Sequence, residues 1–418
     1  MKIGINIYLL LALIAFITLP FSSSAYSVLT HEAIIDASWE KSIQPLLKVR
    51  FPGSTEAQFK EAHAYAYGGA IIDDMGYYPF GSVFFSNLVH YVRSGDFVTA
   101  LLEEARDINE YAFALGALAH YTSDIYGHSL GTNVAVPITY PQDREKYGDV
   151  VTYSQDHTSH LRMEFGFDVL QTAKGNYASL AYHDFIGFQV SQPVLERAFL
   201  KTYGMDINDV FGDLALAIGT FRWSIKNLIP EATKYAWNIK KAQIKKSNPT
   251  ATSRNFRYKM NKANYYEEFG KKHKKPPLTS WAFTAVMRVF PKIGPLKGLR
   301  FTEPGEAAEK LFIQSFDTVM VHYNSYLKKI ATDKIQFANK DLDTGKPTTQ
   351  GEYDLCDVNY NKLLLKLEDE DFHNLSPALK HNILAFYNHE STNVSADDAA
   401  EWKKLTEALA ELKSTPSK

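Results

Sequence analysis

The chain has very little cysteine: a single residue, Cys356, in 418. One thiol has no partner within the chain, so a disulfide framework is excluded and a small stapled scaffold with it. It also lacks a charge excess. Lys+Arg number 45 and Asp+Glu 47, a formal net charge of -2, which argues against a dedicated polyanion binder. Strand-like alternation is scarce and no internal repeat is visible. Hydrophobic residues nevertheless make up 45% of the chain, enough for a sizeable core in one large domain or two smaller ones.

The N-terminus reads as a targeting segment. Lys2 precedes an apolar run from Ile3 to Leu19, and the small residues Ser23-Ser24-Ala25 suit signal peptidase. Cleavage is expected after Ala25, so residues 1–25 form a signal peptide, the protein is exported, and Tyr26 becomes the first residue. An uncleaved anchor is the alternative reading of the same run. An exported protein without disulfides needs another staple, and bound metal is a candidate.

From 26 to about 240 the chain reads as helix. Asp107 to His120 is rich in Ala and Leu without proline, which suits a buried helix, and 157–171, 184–203 and 206–240 continue the style. The expected fold class is therefore all-α. Residues 241–280 form a basic linker or insertion, with Lys271, Lys272, Lys274 and Lys275 beside Tyr265, Tyr266 and Phe269. Such a mixture can touch lipid headgroups or nucleic acid, although a solvated linker is the favoured reading. Residues 281–418 are expected to be a mostly helical extension. It is helical at 305–331, turn-rich at 339–356 (Asp341, Asp343, Gly345, Pro347, Gly351) and helical again at 376–413.

Histidine is concentrated early: His31, His63, His90, His120, His128, His157 and His160 all precede residue 161. The strongest local signal is His120-x-x-x-Asp124-x-x-x-His128. Spacing by four stacks three potential ligands on one face of a helix. If that face turns inward its polar groups must be satisfied, and a metal ion does so. His160-x-x-x-Glu164 is a second such pair, with His157 rated a supporting neighbour rather than a ligand. Asp73-Asp74, among Gly68, Gly69 and Gly76, followed by His90, adds carboxylates on a loop or helix end. Each piece has a plain alternative: a solvent-facing helix end, a surface ion pair, an acidic turn. A free α-amino group at Tyr26 titrates near neutrality and can also bind zinc, with His31 close by.

Taken in order, these residues resemble the zinc-dependent phospholipase C family, whose fold is shared with the fungal zinc nucleases. The resemblance implies an all-α fold and two to three zinc ions. It implies that Tyr26 and His31 hold one zinc, and that Asp74, His90, His120 and a bridging Asp124 hold another. His128, His160 and Glu164 hold the third, and Asp74 also orients the attacking water. Three features depart from the family pattern: Tyr26 stands where Trp is usual, Asp124 and His128 are closer than usual, and residues 240–418 extend well beyond the minimal phospholipase. The implied activity is hydrolysis of glycerophospholipids, with transient contact to a membrane surface and no stable nucleic-acid complex. The same metal set would serve a nuclease on single strands, or survive in a degenerate, metal-stabilised binding protein. His-x-x-x-Glu rather than His-x-x-x-Asp leans toward the phospholipase.

Overall fold

A computed structural model describes residues 28–174, 188–247, 302–333, 335–388 and 399–417, with isolated positions between. The signal segment, Tyr26 and most of the basic stretch at 241–280 lie outside the described residues.

Among the described residues there is no strand, only an isolated bridge between Lys340 and Pro347. The all-α expectation is borne out. The chain runs through α1 (Val28–Ser38), a π turn (Trp39–Ile43), α2 (Gln44–Arg50), α3 (Glu56–Ala70), a 3-10 turn (Ile72–Tyr77), α4 (Val83–Tyr91), α5 (Ser94–Glu104) and α6 (Ile108–Gly127). A π turn (His128–Thr132) leads into α7 (Asn133–Thr139), α8 (Pro141–Tyr147) and α9 (His157–Lys174). Then come α10 (Gln192–Tyr203), α11 (Ile207–Val210), α12 (Leu214–Ser247), α13 (Glu306–Ile330), α14 (Asp354–Asp369), α15 (Pro377–Phe386) and α16 (Ala399–Ser414).

Helix starts follow local chemistry. Thr55 accepts from the Gln58 amide while the Gln58 side chain reaches back to the Thr55 N–H, a capping box that starts α3. Asp107 accepts from the amides of Asn109 and Glu110 and starts α6. α6 is buried along almost its whole length and forms the centre of the molecule. Its closest neighbour is α3, and two glycines set the approach. A Cβ at Gly69 would overlap the Phe113 carbonyl oxygen, and one at Gly116 would overlap that of Ala66. The two backbones therefore meet with no side chain between them.

The C-terminal segment joins the same core. Buried Phe312, Tyr323, Tyr360 and Leu364 belong to one hydrophobic cluster with Ile34, Phe85, Phe113 and Phe199. Tyr323 on α13 donates to the Leu115 carbonyl at 2.9 Å, and Tyr121 donates to the Ala338 carbonyl at 2.7 Å.

Candidate metal centre

The inward face of α6 carries His120 and Asp124, and His128 sits where the α-helix passes into the π turn. The His128 amide still bonds to the Asp124 carbonyl, so the spacing of four survives to that point. The wider turn beyond it bonds Asn133 N–H to the His128 carbonyl and places Asn133, not Thr132, beneath His128.

His120, His31, His90, Asp73, Asp74 and Asp124 gather at one end of the site, all buried. His31 comes from α1, His90 from α4, and the two acids from the 3-10 turn. Asp124 lies between imidazoles on both sides. Its Oδ1 is 3.6 Å from His31 Nε2, and its Oδ2 is 3.2 Å from His120 Nε2 and 3.5 Å from His90 Nε2. Asp74 Oδ1 is 3.7 Å from His90 Nε2, and Asp73 Oδ2 is 4.0 Å from His120 Nε2.

The other ring nitrogens fix the tautomers. His120 Nδ1 lies 2.9 Å from the Ala70 carbonyl at the end of α3, and His90 Nδ1 lies 2.7 Å from the Ser86 carbonyl. A carbonyl can only accept, so both Nδ1 atoms carry the proton. Ser123 donates its hydroxyl to the His120 carbonyl and therefore accepts from His31 Nδ1 at 2.9 Å. When these rings are neutral, Nε2 carries a lone pair toward Asp124; the Asp124 carboxylate also draws the His120 imidazole well above its usual range, toward the protonated form. His90 and His120 Nε2 are only 3.2 Å apart, two lone pairs facing each other. That contact is repulsive unless a proton or a metal ion lies between them, so the pair fits a cation.

Around His128 a second group forms. His160 Nδ1 is 2.8 Å and His128 Nε2 is 3.6 Å from Glu164 Oε1. His160 Nε2 is 2.6 Å from Asn133 Oδ1. Asn133 Nδ2 donates to the Asp343 carbonyl, which leaves Oδ1 as the atom facing His160. His160 Nε2 therefore carries the proton, and Nδ1 turns its lone pair to Glu164. Across the site, the oxygens of Asp124, Asp74 Oδ1, Asp73 Oδ1, Glu164 Oε1 and His160 Nδ1 are buried without a hydrogen bond. Burial pushes the carboxyls of Asp74 and Glu164 well above the usual carboxylate range, and it pushes the His31 and His160 imidazoles below theirs. A dry pocket disfavours an isolated ionised acid, whereas the imidazoles beside Asp124 and Asp343, His120 and His128 first among them, hold those two carboxyls below the usual carboxylate range. Three sets of donors lie close enough together to share an ion: His31, His120 and Asp124; Asp74, His90 and His120; and His128, His160 and Asp343.

The structure thus brings together His31, Asp74, His90, His120, Asp124, His128, His160 and Glu164. Tyr26 lies outside the described residues. His157 faces outward, its ring packed edge-on against Tyr153, which in turn meets the His160 ring. His63 belongs elsewhere, bonded to Asp36 at 3.1 Å and stacked on Trp39. Two acids were not singled out as ligands. Asp73 was visible beside Asp74, but a turn gives no period by which to choose between neighbours. Asp343 lies in the polar turn at 339–356, more than 170 residues beyond Glu164, where no spacing rule reaches.

Residues 30–212 match the model of a family described as zinc dependent phospholipase C. No curated protein and no solved structure matches the chain.

Proposed function

We propose that the protein, whose residues 30–212 match the model of the zinc-dependent phospholipase C family, is an exported hydrolase that cleaves glycerophospholipids at the phosphodiester, using two to three zinc ions. The observation that carries the reading is the placement of Asp124, whose two oxygens face different imidazoles, His31 on one side and His90 with His120 on the other. A carboxylate so placed serves two ions at once.

His31, Asp124 and the amino group freed at Tyr26 would hold one zinc. Asp74, His90, His120 and Asp124 would hold the next, and His128, His160 and Glu164 the third. Bound zinc acts as a Lewis acid and brings the pKa of water toward neutrality. The chain's own part is orientation. Asp74 would hold the attacking water and take its proton; its Oδ1 is buried and without a hydrogen bond. Ser86, Ala70 and Ser123 lock the imidazoles in the tautomer that binds. Burial of these groups strengthens the electrostatic contacts among them.

The test is direct. Protein processed at Ala25 and folded with zinc is offered phosphatidylcholine vesicles, single-stranded DNA and RNA. Release of a phosphorylated headgroup, abolished by a chelator and restored by zinc, is expected. Less than one zinc per chain sinks the metal centre. Cleavage of nucleic acid with none of phospholipid would assign the same centre to the nuclease chemistry instead.

A further inference from the structure

Every imidazole at the His31 end has its Nδ1 held by a group from the family-matched segment, whereas His128 Nδ1 also meets a group from beyond it. Its Nδ1 lies 3.2 Å from Asp343 Oδ1, a carboxylate delivered by the C-terminal segment outside residues 30–212. We propose that Asp343 is a positioning residue of the metal centre, its carboxylate lying close enough to take up the Nδ1 proton of His128 so that Nε2 faces the ion shared with His160 and Glu164. The inference rests on the zinc reading above and extends it to a segment that the family match does not cover.

The turn that carries Asp343 is built to present it. Asp341 accepts from the Thr344 amide at 2.6 Å and from its hydroxyl at 2.5 Å. Gly345 closes the turn in the left-handed region, at φ +71°, and a Cβ there would come within 2.8 Å of the Ile125 carbonyl on α6. The turn is pinned to the site itself, because the Leu342 amide donates to the His90 carbonyl at 3.1 Å and Asn133 Nδ2 donates to the Asp343 carbonyl at 2.9 Å. The carboxylate is then oriented: Oδ2 accepts from the Tyr353 hydroxyl at 2.6 Å and the Tyr153 amide at 2.9 Å. Two donors on Oδ2 leave Oδ1 for His128. The buried acid thus has a fixed conformation, with Oδ1 turned to His128 Nδ1 at 3.2 Å and, farther off, to His160 Nε2 at 3.6 Å.

Direct ligation by Asp343 would require His160 to bind through Nε2, but that atom's proton is committed to Asn133 at 2.6 Å. With His160 bound through Nδ1, its partner is Glu164, and Asp343 stands behind His128. The arrangement matches His90, His120 and His31, each of which anchors Nδ1 and points Nε2 inward. A carboxylate in that supporting role raises the basicity of the ring as well as fixing its tautomer.

The experiment measures metal, not only turnover. Zinc affinity of the full-length protein and of Asp343→Asn is read by competition with a chromophoric chelator, and the cobalt-substituted forms are compared by visible absorption. Asp343→Asn should keep the full zinc count at saturation, weaken one zinc by roughly 10- to 100-fold, and leave the cobalt coordination number unchanged. Tyr353→Phe, which removes one of the two donors on Oδ2, should weaken the same zinc by a smaller factor, and it keeps the test open should Asp343→Asn fail to fold. Unchanged affinity in both variants overturns the proposal. Loss of a whole zinc equivalent at saturation also overturns it, by making Asp343 a ligand. A wild-type protein that binds no zinc defeats the zinc reading itself, a separate result.

Discussion

The two ends of the site are held in place by different means. At the His31 end, the anchors are backbone carbonyls and one serine from helices that already pack together: Ala70 on α3, Ser86 on α4, Ser123 on α6. At the His128 end, the anchors are side chains, Asn133 from the π turn's edge and Asp343 from a turn far along the chain. The first end follows from forming the helical core. The second is complete only when the C-terminal segment docks. Ligands can therefore be read from a short segment while the groups that orient them cannot.

Breaking the core removes the basis of the comparison and gives the largest effect. Gly116→Leu places a branched side chain where α3 and α6 touch through backbone. Overpacking of flexible cores costs about 1–3 kcal/mol, and here the opposing atoms are carbonyls that cannot rotate away. The variant should lose more than about 3 kcal/mol, observed as loss of cooperative thermal unfolding and of zinc uptake at both ends. A folded variant with normal zinc content would show that α3 and α6 are not in backbone contact.

Next in size is Asp124, the residue proposed to serve two ions. Asp124→Asn removes the charge that faces His31 on one side and His90 and His120 on the other. Turnover should fall beyond the roughly 100-fold that supporting partners contribute, and zinc content should fall by more than one equivalent. His31→Ala should be milder, because that ring faces only the Oδ1 side. Metal counting on the two variants checks the order; equal losses would remove the bridging role from Asp124.

How much of this was legible depends on which residues follow a helical period. His120, Asp124 and His128 are spaced by four on an Ala- and Leu-rich helix, and the structure places them as the period requires. His160 and Glu164 follow the same rule. The Asp73-Asp74 turn was legible only as a place where acids can bend inward. Asp343 was legible only as one polar residue in a turn, since the contact to His128 depends on how α13 and the following segment dock, a tertiary fact without local signature. The π turn at His128–Thr132 was not foreseen either: the sequence reading carried a regular helix to His128 and gave no reason for Asn133 to fall beneath it.

The finest distinction between the two ends concerns tautomers, and Ser123→Ala isolates it. The Ser123 hydroxyl has one proton, and the His120 carbonyl at 2.8 Å receives it. Its oxygen therefore accepts from His31 Nδ1, and His31 presents Nε2 to Asp124. Removing the hydroxyl leaves the helix intact, because the backbone is untouched and alanine suits a buried helix well. It deletes only the preference for one tautomer. A zinc at the His31 end should weaken by about 10-fold, while a zinc at the proposed His128, His160 and Glu164 site keeps its affinity. Stepwise chelator competition reads the two ends separately. Equal weakening of both would mean that the ends are not independently anchored, and no change at the His31 end would mean that stacking on His120, at 4.4 Å between ring centroids, orients His31 without help.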